Sequence, residues 1–187
     1  MRVMAAICFA LLLSVTGFAE STTTPTAFFG EGNALLDSSG NLIVVEEGRS
    51  TTGVTITGLR HSFYMPLTMI SVISKGASTP TTVQFNGSVQ VIGVGDSAIY
   101  AIGTTYTVSG TTLTTAQSLI AITASLPAGP ALTGFPSFAL TSPVDARVGP
   151  SDYISIISQP SGSTARTATV LHFASGAFSQ VSSATLP

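Results

Sequence analysis

Short runs in which apolar and polar residues alternate recur along the chain, as in Val54-Thr55-Ile56-Thr57 and Val89-Gln90-Val91-Ile92. Alternation of this kind turns one face of a strand to a core and the other to water. It predicts strands at 33–36, 42–46, 53–58, 67–74, 82–85, 89–94, 98–102, 105–109, 119–124, 138–141, 153–157 and 167–173. Turn chemistry separates them at Asp37-Ser38-Ser39-Gly40-Asn41, Asn86-Gly87, Gly95-Asp96, Ser109-Gly110 and Pro160-Ser161-Gly162. Glu, Lys and Gln are few, and β-branched residues, which lose χ1 freedom in a helix but suit a pleated surface, are plentiful. The expected fold class is therefore all-β. Residues 117–125 can also be read as a short helix, and the Pro- and Gly-rich run from Leu126 to Pro136 as a connector between units.

The first nineteen residues break the pattern. Arg2 is the only charge before Glu20, an apolar run follows from Met4 to Leu13, and Gly17-Phe18-Ala19 offers small residues at the −3 and −1 positions of a cleavage site. Residues 1–19 thus read as a secretory signal peptide, too short in its apolar part for a membrane-spanning helix. Its removal leaves residues 20–187, the size of a single domain. The expected location is secreted or periplasmic, with no membrane span after processing. Cys8, the only cysteine, leaves with the signal, so core packing and strand pairing must hold the domain without a disulfide.

Charged residues make up only 7% of the chain, against about 25% in an average soluble domain. The arginines and Lys75 are scattered singly, so no basic stripe exists to neutralise phosphates, and nucleic acid is not an expected partner. Ser, Thr and Gly supply the polarity instead, a surface prone to self-association.

Positions 56 residues apart coincide in character. Leu36, Ile92 and Val148 form one apolar column, and Val44, Tyr100 and Ile156 another. Between them lie Asp37-Ser38-Ser39-Gly40, Gly93-Val94-Gly95-Asp96 and Gly149-Pro150-Ser151-Asp152. Each copy reads as strand, tight turn, strand, and a period near 50 holding several strands suits a propeller blade. Three repeats of about 56 residues are expected, with Val44, Tyr100 and Ile156 buried between adjacent units. The segment Asn33-Ala34-Leu35-Leu36-Asp37-Ser38-Ser39-Gly40-Asn41-Leu42-Ile43-Val44-Val45-Glu46 resembles the inner strand pair of an NHL-type β-propeller blade. Val94–Ile102 and the stretch ending Asp152-Tyr153-Ile154-Ser155-Ile156 resemble it more loosely. The resemblance implies propeller-like antiparallel blades. Propellers close with four to eight blades and this chain has room for three, so the blades are either incomplete or closed by a homo-oligomer; a β-sandwich that reuses such hairpins is the alternative.

No residue pattern marks a catalytic, cofactor or metal site. His61 and His172 each lack a second His or a Cys at ligand spacing. No Gly-x-Ser-x-Gly elbow marks a nucleophile. Glu46 and Glu47, adjacent on a strand, point to opposite faces and cannot form the facing pair that glycoside cleavage needs. Asp37, Asp96 and Asp152 sit at turns, where Asp normally accepts hydrogen bonds from its own backbone; calcium ligation is the functional alternative. The leading functional expectation is a non-enzymatic envelope or surface module acting through protein or glycan contacts. A propeller-class hydrolase or lyase is the second, and an outer-membrane β-barrel the third.

Overall fold

A computed structural model describes residues 27–186. Twelve strands follow one another: β1 (Ala27–Leu36), β2 (Leu42–Val54), β3 (Phe63–Ile73), β4 (Thr81–Asn86), β5 (Ser88–Val94), β6 (Ile99–Ser109), β7 (Thr112–Ile122), β8 (Ser137–Leu140), β9 (Pro143–Val148), β10 (Tyr153–Ser158), β11 (Arg166–Ala174) and β12 (Ala177–Leu186). Each consecutive four form an antiparallel meander, giving a first (β1–β4), a middle (β5–β8) and a last sheet (β9–β12). The fold is all-β, as the alternation predicts. The signal-peptide reading of residues 1–19 lies outside the described residues.

The three sheets stack face to face around two cores. Between the first and middle sheets lie Ile43, Val45, Ile70, Val72 and Phe85 on one side and Val89, Ile99, Ala101, Ile120 and Ile122 on the other. Between the middle and last sheets lie Ala98, Tyr100, Leu119 and Ala121 against Ile154, Ile156, Leu171 and Phe173. The middle sheet is thus buried on both faces, and Ala98–Ala101 and Leu119–Ile122 are unbroken buried runs. A sheet covered on both sides has no face to give to polar residues. This is why residues 117–125 carry no period of 2 and admit a helical reading; residues 117–122 are the end of strand β7, paired to β6 and β8, and residues 123–125 lead out of it.

Other expectations change in detail. Residues 99–102 and 105–109 belong to one strand, β6, with Ala98 in the turn before it, and residues 53–58 contribute only the end of β2. The connector at 126–136 runs inside the middle sheet, from β7 to β8, and folds Leu132 and Phe135 back into the first core. Asn86-Gly87 is no hairpin: Gly87 alone separates β4 from β5 and carries the chain from one sheet to the next. Its φ of +141° suits glycine, a Cβ there would collide with the Thr104 carbonyl, and its own carbonyl accepts a hydrogen bond from the buried Thr68 Oγ1 at 2.9 Å.

In each sheet the first connection joins the first strand to the second at the turns singled out above. Leu36 pairs with Leu42, Val94 with Ile99 and Val148 with Ile154, so five, four and five residues lie between the paired positions. The second strands therefore lie 57 and then 55 residues apart, not 56 twice. Matching positions are Val44, Ala101 and Ile156. Tyr100 faces the opposite way, into the second core, and Val44 stands half-buried on the outer face of the first sheet instead of between two sheets. A slip of one residue exchanges the faces of a strand, which is why an apolar column at even spacing mixes the two sides.

Candidate functional site

The three first turns meet at one end of the stack. Asp37 organises its own turn: Oδ1 accepts from the backbone N–H of Ser39 at 2.9 Å and of Asn41 at 2.8 Å, and Oδ2 from the Asn41 side chain at 2.8 Å. Burial alone raises the pKa of this carboxyl, but the bonds from Asn41, Ser39 and Gly40 together hold it below the ordinary value. Asn41 in turn accepts from the Lys75 N–H through Oδ1 at 2.9 Å, fixing the turn to the end of β3. Ser38 Oγ donates to the Asp96 carbonyl and ties the first sheet's turn to that of the middle sheet.

The last sheet's turn reaches back in the same way. Asp152 is buried, in a left-handed conformation with φ +58°, next to Ser151 at φ +53°. Its Oδ1 accepts from the Ser97 N–H at 3.1 Å, across the boundary between sheets. Burial pushes its pKa up, and the donors at Ser97, Tyr100 and Asp96 outweigh that push, leaving it below the ordinary value. Asp152 Oδ1 and the Tyr100 ring both pack on Gly95, where a side chain would strike them. The Tyr100 hydroxyl is fully buried with no partner in good hydrogen-bonding geometry; burial first, and then the nearby Asp152 and Asp96 carboxylates, raise its pKa. It stays protonated beside Asp152.

These turns are joints. Asp37 spends Oδ1 on two backbone N–H groups and Oδ2 on the Asn41 amide, Asp152 Oδ1 accepts from the Ser97 N–H, and among the described residues no three His, Cys, Asp or Glu side chains gather as a metal-binding group. Nor are the other candidates brought together. His61 is exposed in the loop between β2 and β3. His172 lies on β11, its ring stacked on Tyr153 at 4.5 Å and 15°. Glu46 lies on the outer face of the first sheet, while Glu47 belongs to the other face. A cleft of about 320 Å³ opens between β8 and the last sheet, lined by Phe138, Leu140, Ile156, Thr169 and Gln180, with no ionisable side chain in it.

The surfaces with most to offer a partner are the two outer faces of the stack. The first sheet shows Leu36 (63% exposed), Leu42, Val44, Met69 and Ile73 on its outer side. The last sheet shows Tyr153 (42% exposed) stacked on His172, with Ser155, Ile157 and Val170 beside them. Neither surface is legible from sequence: Tyr153 and His172 are nineteen positions apart and meet only through the β10–β11 register. No family model matches the chain, and neither the curated proteins nor the solved structures contain a significant match to it.

Proposed function

We propose that the protein is an exported, secreted or periplasmic module that works by surface contact with protein or glycan and performs no chemistry of its own, and that its three sheets are consecutive propeller-like blades. The observation that carries this reading is the pair of outer sheet faces, which expose apolar and aromatic side chains at the two ends of an otherwise well-packed stack. Contiguous exposed apolar area of this kind marks interaction surfaces. The blade reading is supported by the four-stranded meanders, by their face-to-face stacking, and by the approach of β5 to both β1 and β9 across the sheet boundaries, where Gly93 leaves room for Val148. Packing as three separate sheets, not one closed ladder, weighs against an outer-membrane barrel. Export is supported by the Arg2 head, the apolar run from Met4 to Leu13 and the Gly17-Phe18-Ala19 site.

The test has two parts. The full chain, expressed with its leader, should appear outside the cytoplasm with an N-terminus near Glu20. The processed protein should bind a protein or glycan ligand in a manner weakened by Tyr153→Ala or Val44→Glu. A cytoplasmic product that keeps Met4–Leu13, or hydrolase or lyase turnover that His172→Ala or Asp152→Asn abolishes while the fold survives, would overturn the reading.

A further inference from the structure

The two outer faces are related by more than exposure. Val44, Ala101 and Ile156 occupy matching places on the second strand of their sheets. On the middle and last sheets this side, carrying Ile99 and Ala101 or Ile154 and Ile156, is fully buried against the preceding sheet. On the first sheet no preceding sheet covers the same side among the described residues, and Leu36, Leu42, Val44 and Ile73 stand partly exposed there. The opposite side follows the same rule in reverse. It is buried in the first sheet through Ile43 and Val45 and in the middle sheet through Ala98 and Tyr100. In the last sheet it is open, and Tyr153, Ser155 and Ile157 line it. Each end of the stack therefore presents the half-interface that the other end lacks.

We propose that the contact partner is a second copy of this chain, bound head to tail: the outer face of the first sheet in one copy packs on the outer face of the last sheet in the other, and the reverse contact forms at the same time. This rests on the blade reading above and continues the two sheet–sheet interfaces already present within the chain. A head-to-tail contact closes a ring or runs on as a fibre. With three sheets among the described residues of each copy, two copies give six, the only multiple of three among the four to eight blades with which propellers close. The chemistry of the faces agrees. Leu36, Leu42, Val44 and Ile73 are aliphatic, and Ile157, Val170 and the Tyr153–His172 stack are apolar and aromatic.

The test is the solution mass of the exported, processed protein by sedimentation or light scattering. The wild type should show the mass of two copies. Val44→Glu and Ile157→Arg, each on an outer face and outside both cores, should each fall to one copy with an unchanged far-ultraviolet circular dichroism spectrum. An equimolar mixture of the two should regain the two-copy mass, since each variant keeps one intact face. A face-to-face pairing of two first sheets is excluded by Ile157→Arg on its own, since that variant would then stay paired. A wild type of single-copy mass at every concentration up to the millimolar range overturns the proposal, as does a single-copy wild type that pairs only when residues 20–26 are deleted. Either result, with Tyr153-dependent binding to a foreign protein or glycan intact, defeats the second copy and leaves the contact-module reading standing. Catalytic turnover in a single-copy protein defeats both.

Discussion

The middle and last sheets share a topology and differ in how many faces they bury. The strands of the middle sheet are covered twice, so Ile99, Tyr100, Ala101 and Leu119–Ile122 are wholly inaccessible and apolar residues succeed one another without alternation. In the last sheet, β10 reads exposed, buried, exposed, buried over Tyr153–Ile156, and β12, at the edge, is exposed over most of its length. Where a sheet lies in the stack, and not its strand order, decides the pattern its sequence carries. It also decides where stability is stored: the same substitution should cost more in the middle of the stack than on its ends.

The largest effect is expected from truncating Tyr100, which packs edge-on against Phe173 and Phe178 in the second core. Tyr100→Ala should cost about 3–5 kcal/mol through lost burial and the cavity left behind. Val44→Ala, on the outer face of the first sheet, should cost below about 1 kcal/mol in the unpaired protein. Denaturant unfolding of the two variants measures the contrast, and equal losses would mean that the sheets do not stack in this order. Next comes the link between sheets. Gly87→Ala forces a side chain against the Thr104 carbonyl in a backbone conformation closed to L residues, and should cost at least about 1–3 kcal/mol. Gly76→Ala, at φ +82° with open space around it, should cost about 1 kcal/mol.

A smaller, pH-dependent term belongs to the turn joints. The folded-state pKa values of Asp152 and Asp37 lie below the 3.8 of the free side chain, so the folded protein binds fewer protons in acid than the unfolded chain. Their contribution is full above that unfolded value and is lost as pH falls through the lower, folded one. The groups facing Asp152 are Ser97, Tyr100 and Asp96, and of these Tyr100 stays protonated throughout. Melting temperatures taken from pH 7 to pH 2 should fall in acid for the wild type and fall less for Asp152→Asn, which should start lower at pH 7. The smallest effect is expected at the exposed Arg147–Asp145 pair, 3.2 Å apart on one strand, where Arg147→Ala should change stability by less than about 0.5 kcal/mol.

The sequence shows most of this where local chemistry acts alone. The alternation at β10 and the Asp37 turn are visible because one face of that strand is wet and because Asp bonds its own backbone. The strands β9 and β12 escape sequence reading because they are the edges of the last sheet. Pro143, Asp145 and Arg147 suit an unpaired edge, and Ser179, Ser182 and Ser183 leave β12 without an apolar face. Asp152 is readable as a turn residue but not as a joint, since its partner Ser97 lies 55 positions away. The outer faces are hidden for a related reason: which side of a strand is left uncovered depends on the stack, and one residue fewer in the Val94–Ile99 loop reverses the sides.

Amide hydrogen exchange of the processed protein, compared with its Val44→Glu variant, tests the stacked order most directly. Slowest exchange is expected at Ile99–Ala101 and Leu119–Ile122 in both proteins, with the amides around Val44 and Ile157 protected in the wild type and markedly faster in the variant. Exchange at Val44 and Ile157 as slow as in the middle sheet in both proteins, or fastest exchange within Leu119–Ile122, would contradict a middle sheet buried between two ends that a second copy covers.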